Sequence, residues 1–158
     1  MGGFIYAVLY APTYRKKCNE FLRRDFPRIP FPESGTDFEA LSRLGWDLVQ
    51  KHLLRDVPAL GLGKYLGQGG HEVEKPHYVA VEQAVYINAT QHFVPVPPEV
   101  WNFYIGGYQV IDKYLKSRKG RKLTLDEIDN VTNVANVLAF TIDQMRKIDD
   151  AYRAAFGD

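Results

Sequence analysis

The stretch Thr124–Tyr152, TLDEIDNVTNVANVLAFTIDQMRKIDDAY, decides the fold because it predicts one long helix. Thr124 and Glu127 have the spacing of a capping box, in which two side chains pair with backbone N–H groups at a helix start. Two apolar series then repeat every seven residues: Ile128, Ala135 and Ile142, and Val131, Leu138, Met145 and Tyr152. Such a stripe packs against another helix at a shallow angle, so this helix needs a partner.

The partner helix is predicted over Phe38–Leu54, after a second capping-box pattern formed by Thr36 and Glu39. Its apolar residues recur at three- and four-residue intervals, which is typical of a helix with one buried face. Trp46 lies within this segment and is expected in the core.

Two shorter helices are predicted near the N-terminus, over Phe4–Leu9 and, with Thr13 as N-cap, over Tyr14–Arg24. Three prolines within Phe26–Pro32 exclude a helix there and predict an extended connector. We therefore expect residues 1–32 to form a helical arm with its connector, and residues 33–158 to form the main domain.

The segment between the two long helices predicts strands and turns. Five glycines within Gly61–Gly70 indicate turns, and β-branched and aromatic residues then favour short strands. The predicted strands cover His77–Val81, Ala84–Asn88 and Phe93–Val96, with Val100–Ile105 as a further candidate. The fold class is therefore α+β: a small mixed or antiparallel sheet flanked by helices, with an N-terminal helical arm and a long C-terminal helix.

Composition excludes several classes of protein. At 158 residues, with 46% hydrophobic and 25% charged residues, the chain is typical of a soluble, folded domain. Cys18 is the single cysteine, so an internal disulfide is impossible and a bacterial cytoplasmic setting is expected. No apolar run approaches the length of a membrane span, so we expect no membrane partner.

Sequence motifs for catalysis are missing. The four histidines lack metal-ligand spacing, the Gly61–Gly70 run lacks the glycine pattern of a nucleotide site, and no nucleophile elbow is present. We therefore expect no metal and no cofactor bound by this chain. A small hydrolase whose Ser, His and acidic residues come together from distant positions remains an alternative.

Positive charge is concentrated in one segment although the formal net charge is only +1. Residues 113–122 contain six basic residues and no acid, which favours contacts with phosphates. The candidates for such contacts are Lys113, Lys116, Arg118, Lys119 and Arg121, with Gly120 as a flexible centre. A solvated helix face and loop is the alternative, and the DNA interpretation fails if internal acids neutralise these cations.

Amide side chains are the candidates for reading adenine edges. They are Gln109, Asn88, Gln91 and Asn102. Gly106 and Gly107 precede a helix predicted over Tyr108–Ser117. They either form a strand-to-helix turn that requires positive φ, or let a phosphate approach the start of that helix.

Two segments resemble a known family. YAPTYR at Tyr10–Arg15, followed by DFPRIPF at Asp25–Phe31, resembles the passage after the methyltransferase core in type ISP restriction–modification enzymes. WNFYIGGYQVIDKYLKSRKGR at Trp101–Arg121 resembles the signature of their C-terminal specificity domain. A methyltransferase would also need an Asp-Pro-Pro-Tyr type of motif, whereas here Pro97-Pro98 is flanked by Val96 and Glu99.

The resemblance implies a non-catalytic DNA target-recognition domain. Its parent would be an adenine-specific DNA methyltransferase that uses S-adenosylmethionine, and its partners would be double-stranded DNA and the methyltransferase domain. Residues 1–32 would then come from the methyltransferase side, and residues 33–158 would be the recognition domain. A scaffold between domains or subunits, with no direct DNA readout, is the rival interpretation.

Overall fold

The computed structural model describes residues 2–18, 30–105 and 107–157. The chain forms two compact units, one made of Met1–Asp56 with Thr141–Asp158 and the other of Val57–Phe140. Helices and a small antiparallel sheet confirm the predicted α+β class. The predicted boundary after residue 32 concerns the parentage of two segments and stays a prediction.

The described residues form six helices. The helices are α1 (Gly2–Tyr10), α2 (Pro12–Cys18), α3 (Gly35–His52), α4 (Pro98–Trp101), α5 (Val110–Lys116) and α6 (Leu125–Phe156). The long C-terminal helix is confirmed, and its 32 residues run through both units. None of the helices in the described ranges is long and apolar enough to cross a membrane.

Six short strands form two antiparallel sheets in the second unit. The strands are β1 (Lys64–Leu66), β2 (His77–Val79), β3 (Ala84–Tyr86), β4 (His92–Val94), β5 (Tyr104–Ile105) and β6 (Tyr108–Gln109). The larger sheet has the order β1-β4-β3-β2, and β5 pairs with β6 in a separate hairpin. The predicted strands at residues 77–96 are confirmed with shorter bounds. β1 was not predicted, because it lies within the glycine-rich segment Gly61–Gly70.

The buried apolar residues of the second unit come from the larger sheet and from the first half of α6, among other elements. Val85, Ile87 and Phe93 from the sheet region are fully buried, as is Ala135 of α6. Thr132 of α6 donates a hydrogen bond to the carbonyl oxygen of Gly63 at 2.6 Å. Ala135, a member of the predicted stripe, lies close to Gly63, so in this unit α6 packs on the segment that precedes β1.

Two predicted helix starts are wrong. Ser34, not Thr36, caps α3, and its side chain accepts from the N–H of Asp37. Thr13 lies inside α2, which begins at Pro12, and its N–H and hydroxyl both donate to the carboxylate of Asp149. Proline suits the first turn of a helix because it has no N–H to satisfy, and an acid from α6 serves the N–H that follows. The predicted remainder of α2, up to Arg24, lies outside the described residues.

In the first unit, α1 and α3 touch backbone to backbone. A Cβ added to Gly45 of α3 would lie 1.8 Å from the carbonyl oxygen of Gly3 in α1. Leu41, Gly45 and Leu48 form the buried face of α3. Trp46 lies about 100° around the helix from Gly45 and is 56% exposed, so the prediction that it belongs to the core is wrong.

Polar groups join the second half of α6 to the N-terminal helices of the first unit. Gln144 donates to the carbonyl oxygen of Leu44 at 3.0 Å, and Thr141 hydrogen-bonds His52 Nε2 at 2.8 Å. The other ring nitrogen of His52 contacts the hydroxyl of Tyr6, and burial lowers the pKa of His52. The predicted contact between the two long helices is thus present, and buried hydrogen bonds contribute to it.

We predict that Gly45→Ala lowers the free energy of unfolding by roughly 2–3 kcal/mol, because the added methyl group forces α1 away from α3. Gly35→Ala is the matched control, since a Cβ there meets nothing within 4 Å. Urea unfolding followed by circular dichroism measures both. Equal stabilities for the two variants would contradict the close approach of these helices.

Candidate nucleic-acid interface

The β5–β6 hairpin is the part of the predicted site that differs most from the prediction. Tyr104 pairs with Gln109 and Ile105 pairs with Tyr108. Gly107 has a φ of +86°, a value that favours glycine. Gly107 therefore lies between two strands rather than between a strand and a helix, because α5 begins only at Val110. Gly106 itself lies outside the described residues.

Hydrogen bonds from Gln109 anchor the base of the hairpin. Its amide nitrogen donates to the carbonyl oxygen of Trp101 at 3.1 Å and to Oδ1 of Asn102 at 3.2 Å. The N–H of Val110 also donates to the carbonyl oxygen of Phe103. Gln109 and Asn102, both predicted base readers, thus hold one another at the foot of the hairpin.

Apolar side chains of the hairpin are exposed. Tyr104 is 57% exposed, Ile105 47% and Tyr108 58%. The ammonium of Lys113, one helical turn into α5, lies 4.3 Å from the centre of the Tyr108 ring. This cation–π contact places a positive charge over the hairpin. The sequence did not predict this exposed apolar surface, because basic residues are the signal for a DNA-binding site and aromatic residues are expected to be buried.

Internal acids pair with three of the five predicted cations. Lys116 pairs with Asp112 at 2.8 Å, and Arg118 and Arg121 each lie 2.5 Å from the carboxylate of Glu127. Hydrogen bonds from Arg121 and from the N–H of Thr124 hold the pKa of Glu127 far below its ordinary value. The expectation that residues 113–122 carry uncompensated charge is therefore wrong for these three side chains.

The loop between α5 and α6 is tied to the larger sheet region. The N–H of Gly120 donates to the carbonyl oxygen of Val73 at 2.7 Å, and the N–H of Val73 donates back to Arg121 at 3.0 Å. Lys122 forms a β-bridge with Glu72. Gly120, with φ of +89°, is thus a fixed turn and not the flexible centre predicted. Lys119 and Lys122 are exposed on this anchored loop.

Asn88 and Gln91 stabilise a turn instead of facing outward. Gln91 is only 1% exposed, and its Oε1 accepts from the N–H of His71 at 2.7 Å. Asn88 Oδ1 accepts from the N–H groups of Thr90 and Gln91, and its Nδ2 donates to the carbonyl oxygen of Glu72. The Gln91 amide is buried and the half-buried Asn88 amide is engaged in hydrogen bonds within the chain, so neither is placed to read a base.

A cavity of about 480 Å³ opens beneath the hairpin, within the second unit. The β5–β6 hairpin, α5 and the first half of α6 line it. Its walls are mostly apolar and include the rings of Tyr108 and Tyr114. Lys113 and Arg118 contribute the cations of its lining, so the cavity joins the hairpin to the basic segment.

The hydrolase alternative receives no support from the described residues. The hydroxyl of Thr141 contacts His52, but Thr141 is fully buried and closed to a substrate. Within residues 2–18, 30–105 and 107–157, no group of three or more His, Cys, Asp or Glu side chains could hold a metal ion.

Comparison with known proteins gives one family and several solved structures that share the fold. The family model described as "Type ISP C-terminal specificity domain" matches residues 3–147. Among curated proteins, none matches the chain.

Three solved structures share the fold at low sequence identity. They are a nuclease-deletion mutant of the Type ISP restriction-modification enzyme LlaGI with a DNA substrate mimic (TM-score 0.72, 18% identity), the ATP-dependent Type ISP enzyme LlaBIII bound to DNA (0.72, 16%) and a DrdV–DNA complex (0.69, 21%). They match 92%, 93% and 99% of this chain, which spans only 13%, 11% and 18% of theirs.

We predict that Glu127→Gln lowers the free energy of unfolding at pH 7 by about 1 kcal/mol, because both arginines lose a partly exposed ionic partner. The pKa of Glu127 is lower in the folded state, so its contribution is present above the ordinary value of 4.5 and is lost as the pH falls below it.

Urea unfolding at pH 7 and pH 3 measures this difference, which should shrink at pH 3. Glu74→Gln, which removes an exposed carboxylate from the same unit, is the control. A difference between wild type and Glu127→Gln that is the same at both pH values contradicts the assignment.

Proposed function

Because the chain belongs to the family of Type ISP C-terminal specificity domains of restriction–modification enzymes, we propose that it recognises the DNA target for a larger enzyme. The match confirms the resemblance carried by Tyr10–Phe31 and Trp101–Arg121. We further propose that the parent is an N6-adenine DNA methyltransferase in the bacterial cytoplasm, with S-adenosylmethionine bound outside this chain. The chain itself positions the duplex and carries out no chemistry.

The observation that carries the proposal is the arrangement of Lys113, Lys119 and Lys122. All three are exposed, and the described residues provide no ion pair for any of them. Lysine ammonium groups that have no ion-pair partner within the protein neutralise DNA phosphates and release bound counterions. Lys119 and Lys122 stand on a loop that backbone hydrogen bonds hold in place, so their positions are prepared before DNA binds.

The roles of the candidate residues divide between positioning and reading. Lys113, Lys119 and Lys122 contact phosphates, whereas the acids beside Lys116, Arg118 and Arg121 weaken their attraction for DNA. Base edges are read from the β5–β6 hairpin, because a two-stranded ribbon fits the major groove. Asn88 and Gln91 are left out, since their amides are engaged within the fold.

Two further facts support a DNA partner. The LlaGI, LlaBIII and DrdV structures that share the fold were solved with DNA or a DNA mimic. The modest net charge of +1 is acceptable if the neighbouring methyltransferase domain supplies further phosphate contacts.

A scaffold remains the second candidate, because one helix serves both units. Residues 125–140 of α6 belong to the second unit, and residues 141–156 make hydrogen bonds in the first. A helix that takes part in two compact units is compatible with a protein segment that links domains. The scaffold differs from the recognition domain in predicting no dependence of DNA binding on the loop lysines.

We predict that Lys119→Gln with Lys122→Gln weakens DNA binding by the complete protein that carries this chain. The slope of log K against log salt should fall in magnitude by about 2, because two phosphate contacts are lost. Fluorescence anisotropy at several salt concentrations measures it. Lys64→Gln with Lys75→Gln, an equal charge change in the same unit, should leave the slope unchanged. Unaltered affinity and slope in the loop variant favour the scaffold.

The methyltransferase proposal predicts a methylated adenine motif in cells that carry the intact gene. Sequencing of N6-methyladenine with and without the gene measures this motif. Exchanging this chain for another specificity domain should move the motif to a new sequence, because the reading surface changes and the catalytic domain does not. Methylation that stays at the same sequence after the exchange contradicts the recognition role.

A further inference from the structure

We propose that the cavity beneath the β5–β6 hairpin receives a nucleobase displaced from the stack of the bound duplex. This inference rests on the proposed function and adds a mode of binding to it: the domain unstacks a base besides touching the groove. The ligand is one nucleotide unit, with its base inside the cavity and its phosphate at the rim.

The walls of the cavity match the flat face of a base. Tyr108 comes from the hairpin and Tyr114 from α5, and five aliphatic residues contribute to the lining: Ile105, Val110, Ile111, Val131 and Val134. Bases stack on aromatic side chains regardless of their identity, because every base has a π-face. A volume of about 480 Å³ lies within the range of small-molecule sites and leaves room for a base.

The charges at the cavity match a phosphate. Lys113 Nζ lies 4.3 Å from the centre of the Tyr108 ring, and the guanidinium of Arg118 lies 3.5 Å from that of Tyr114. Arg118 is compensated by Glu127, so Lys113 is the cation that faces an incoming phosphate. An uncharged apolar segment of a protein would leave this lysine unused, whereas a nucleotide uses both the rings and the charge.

The cavity also provides a polar group toward the edge of a base. Asn130 of α6 lines it, and a carboxamide both donates and accepts hydrogen bonds. By contrast, the second cavity, of about 310 Å³, is lined by Glu72 and Glu74 and would repel a phosphate. Of these two cavities, the one beneath the hairpin therefore combines aromatic walls with positive charge.

Exposure of the hairpin side chains agrees with this role. Ile105 and Tyr108 are cross-strand partners, so they share one face of the hairpin, and both line the cavity. They are 47% and 58% exposed in the free chain. A base that enters the cavity covers these surfaces, and the stacking it gains offsets part of the cost of leaving the duplex.

A mismatch scan tests the inference with the complete protein. Duplexes that contain its recognition sequence carry a single mismatch at each position in turn, apart from the methylated adenine, and affinities are measured by anisotropy. A mismatch lowers the cost of displacing a base. Binding should therefore tighten, by about tenfold, at one position, whereas mismatches at positions read in the groove weaken it.

Two variants link this gain to the cavity. Tyr108→Ala removes one stacking surface at an exposed position, and Val134→Phe narrows the cavity. Both should abolish the gain, while the salt slope of the matched duplex should still depend on Lys119 and Lys122. Leu66→Ala, at an exposed apolar residue elsewhere in the same unit, should keep the gain.

The outcomes separate this inference from the function on which it rests. Normal binding of the matched duplex with no mismatch that tightens it, or a gain that survives both variants, overturns the cavity proposal alone. Variants that instead loosen the association of this chain with a neighbouring domain show a protein occupant and also overturn it. If the complete wild-type protein does not bind DNA at all, both proposals are overturned.

Discussion

The carboxylate of Glu127 is the interaction on which the second unit depends. It accepts from the N–H of Thr124 at 3.0 Å, and Thr124 Oγ1 accepts from the N–H of Glu127 at 3.1 Å, so α6 begins with a closed capping box. The same carboxylate binds Arg118 and Arg121, and a negative charge at this end of a helix is favourable. One acid thereby fixes the start of α6 and the loop before it.

This arrangement reduces the positive charge that residues 113–122 can offer to DNA. Six cations in ten residues suggest a uniformly positive surface, yet Asp112 and Glu127 neutralise part of it. The cations left to bind phosphates are Lys113, Lys119 and Lys122, and their backbone is already ordered. Order before binding reduces the conformational entropy lost on binding, so fewer charges suffice than a flexible basic tail would need. Specificity then falls to the hairpin, where apolar and aromatic groups are exposed.

The first unit shows how one helix serves two environments. The first half of α6 packs through Ala135 on the segment that precedes β1, whereas its seven-residue pattern predicted another helix as the partner. In the second half, Thr141, Gln144 and Asp149 are buried as well, and each hydrogen-bonds a group from the N-terminal helices. Buried polar groups with defined partners accept fewer alternative packings than apolar ones, so they specify which helices meet.

The sequence by itself determined the α+β class, the long helix with its capping box and the family, because periodicity, capping and an extended motif are local properties. Only the tertiary structure decided which cations are free, since Glu127 reaches Arg118 and Arg121 across six to nine residues of loop and helix. It also engaged Asn88 and Gln91 in hydrogen bonds with each other and left Tyr104 and Tyr108 exposed. Exposure and charge pairing depend on contacts between elements, and residue type does not encode them.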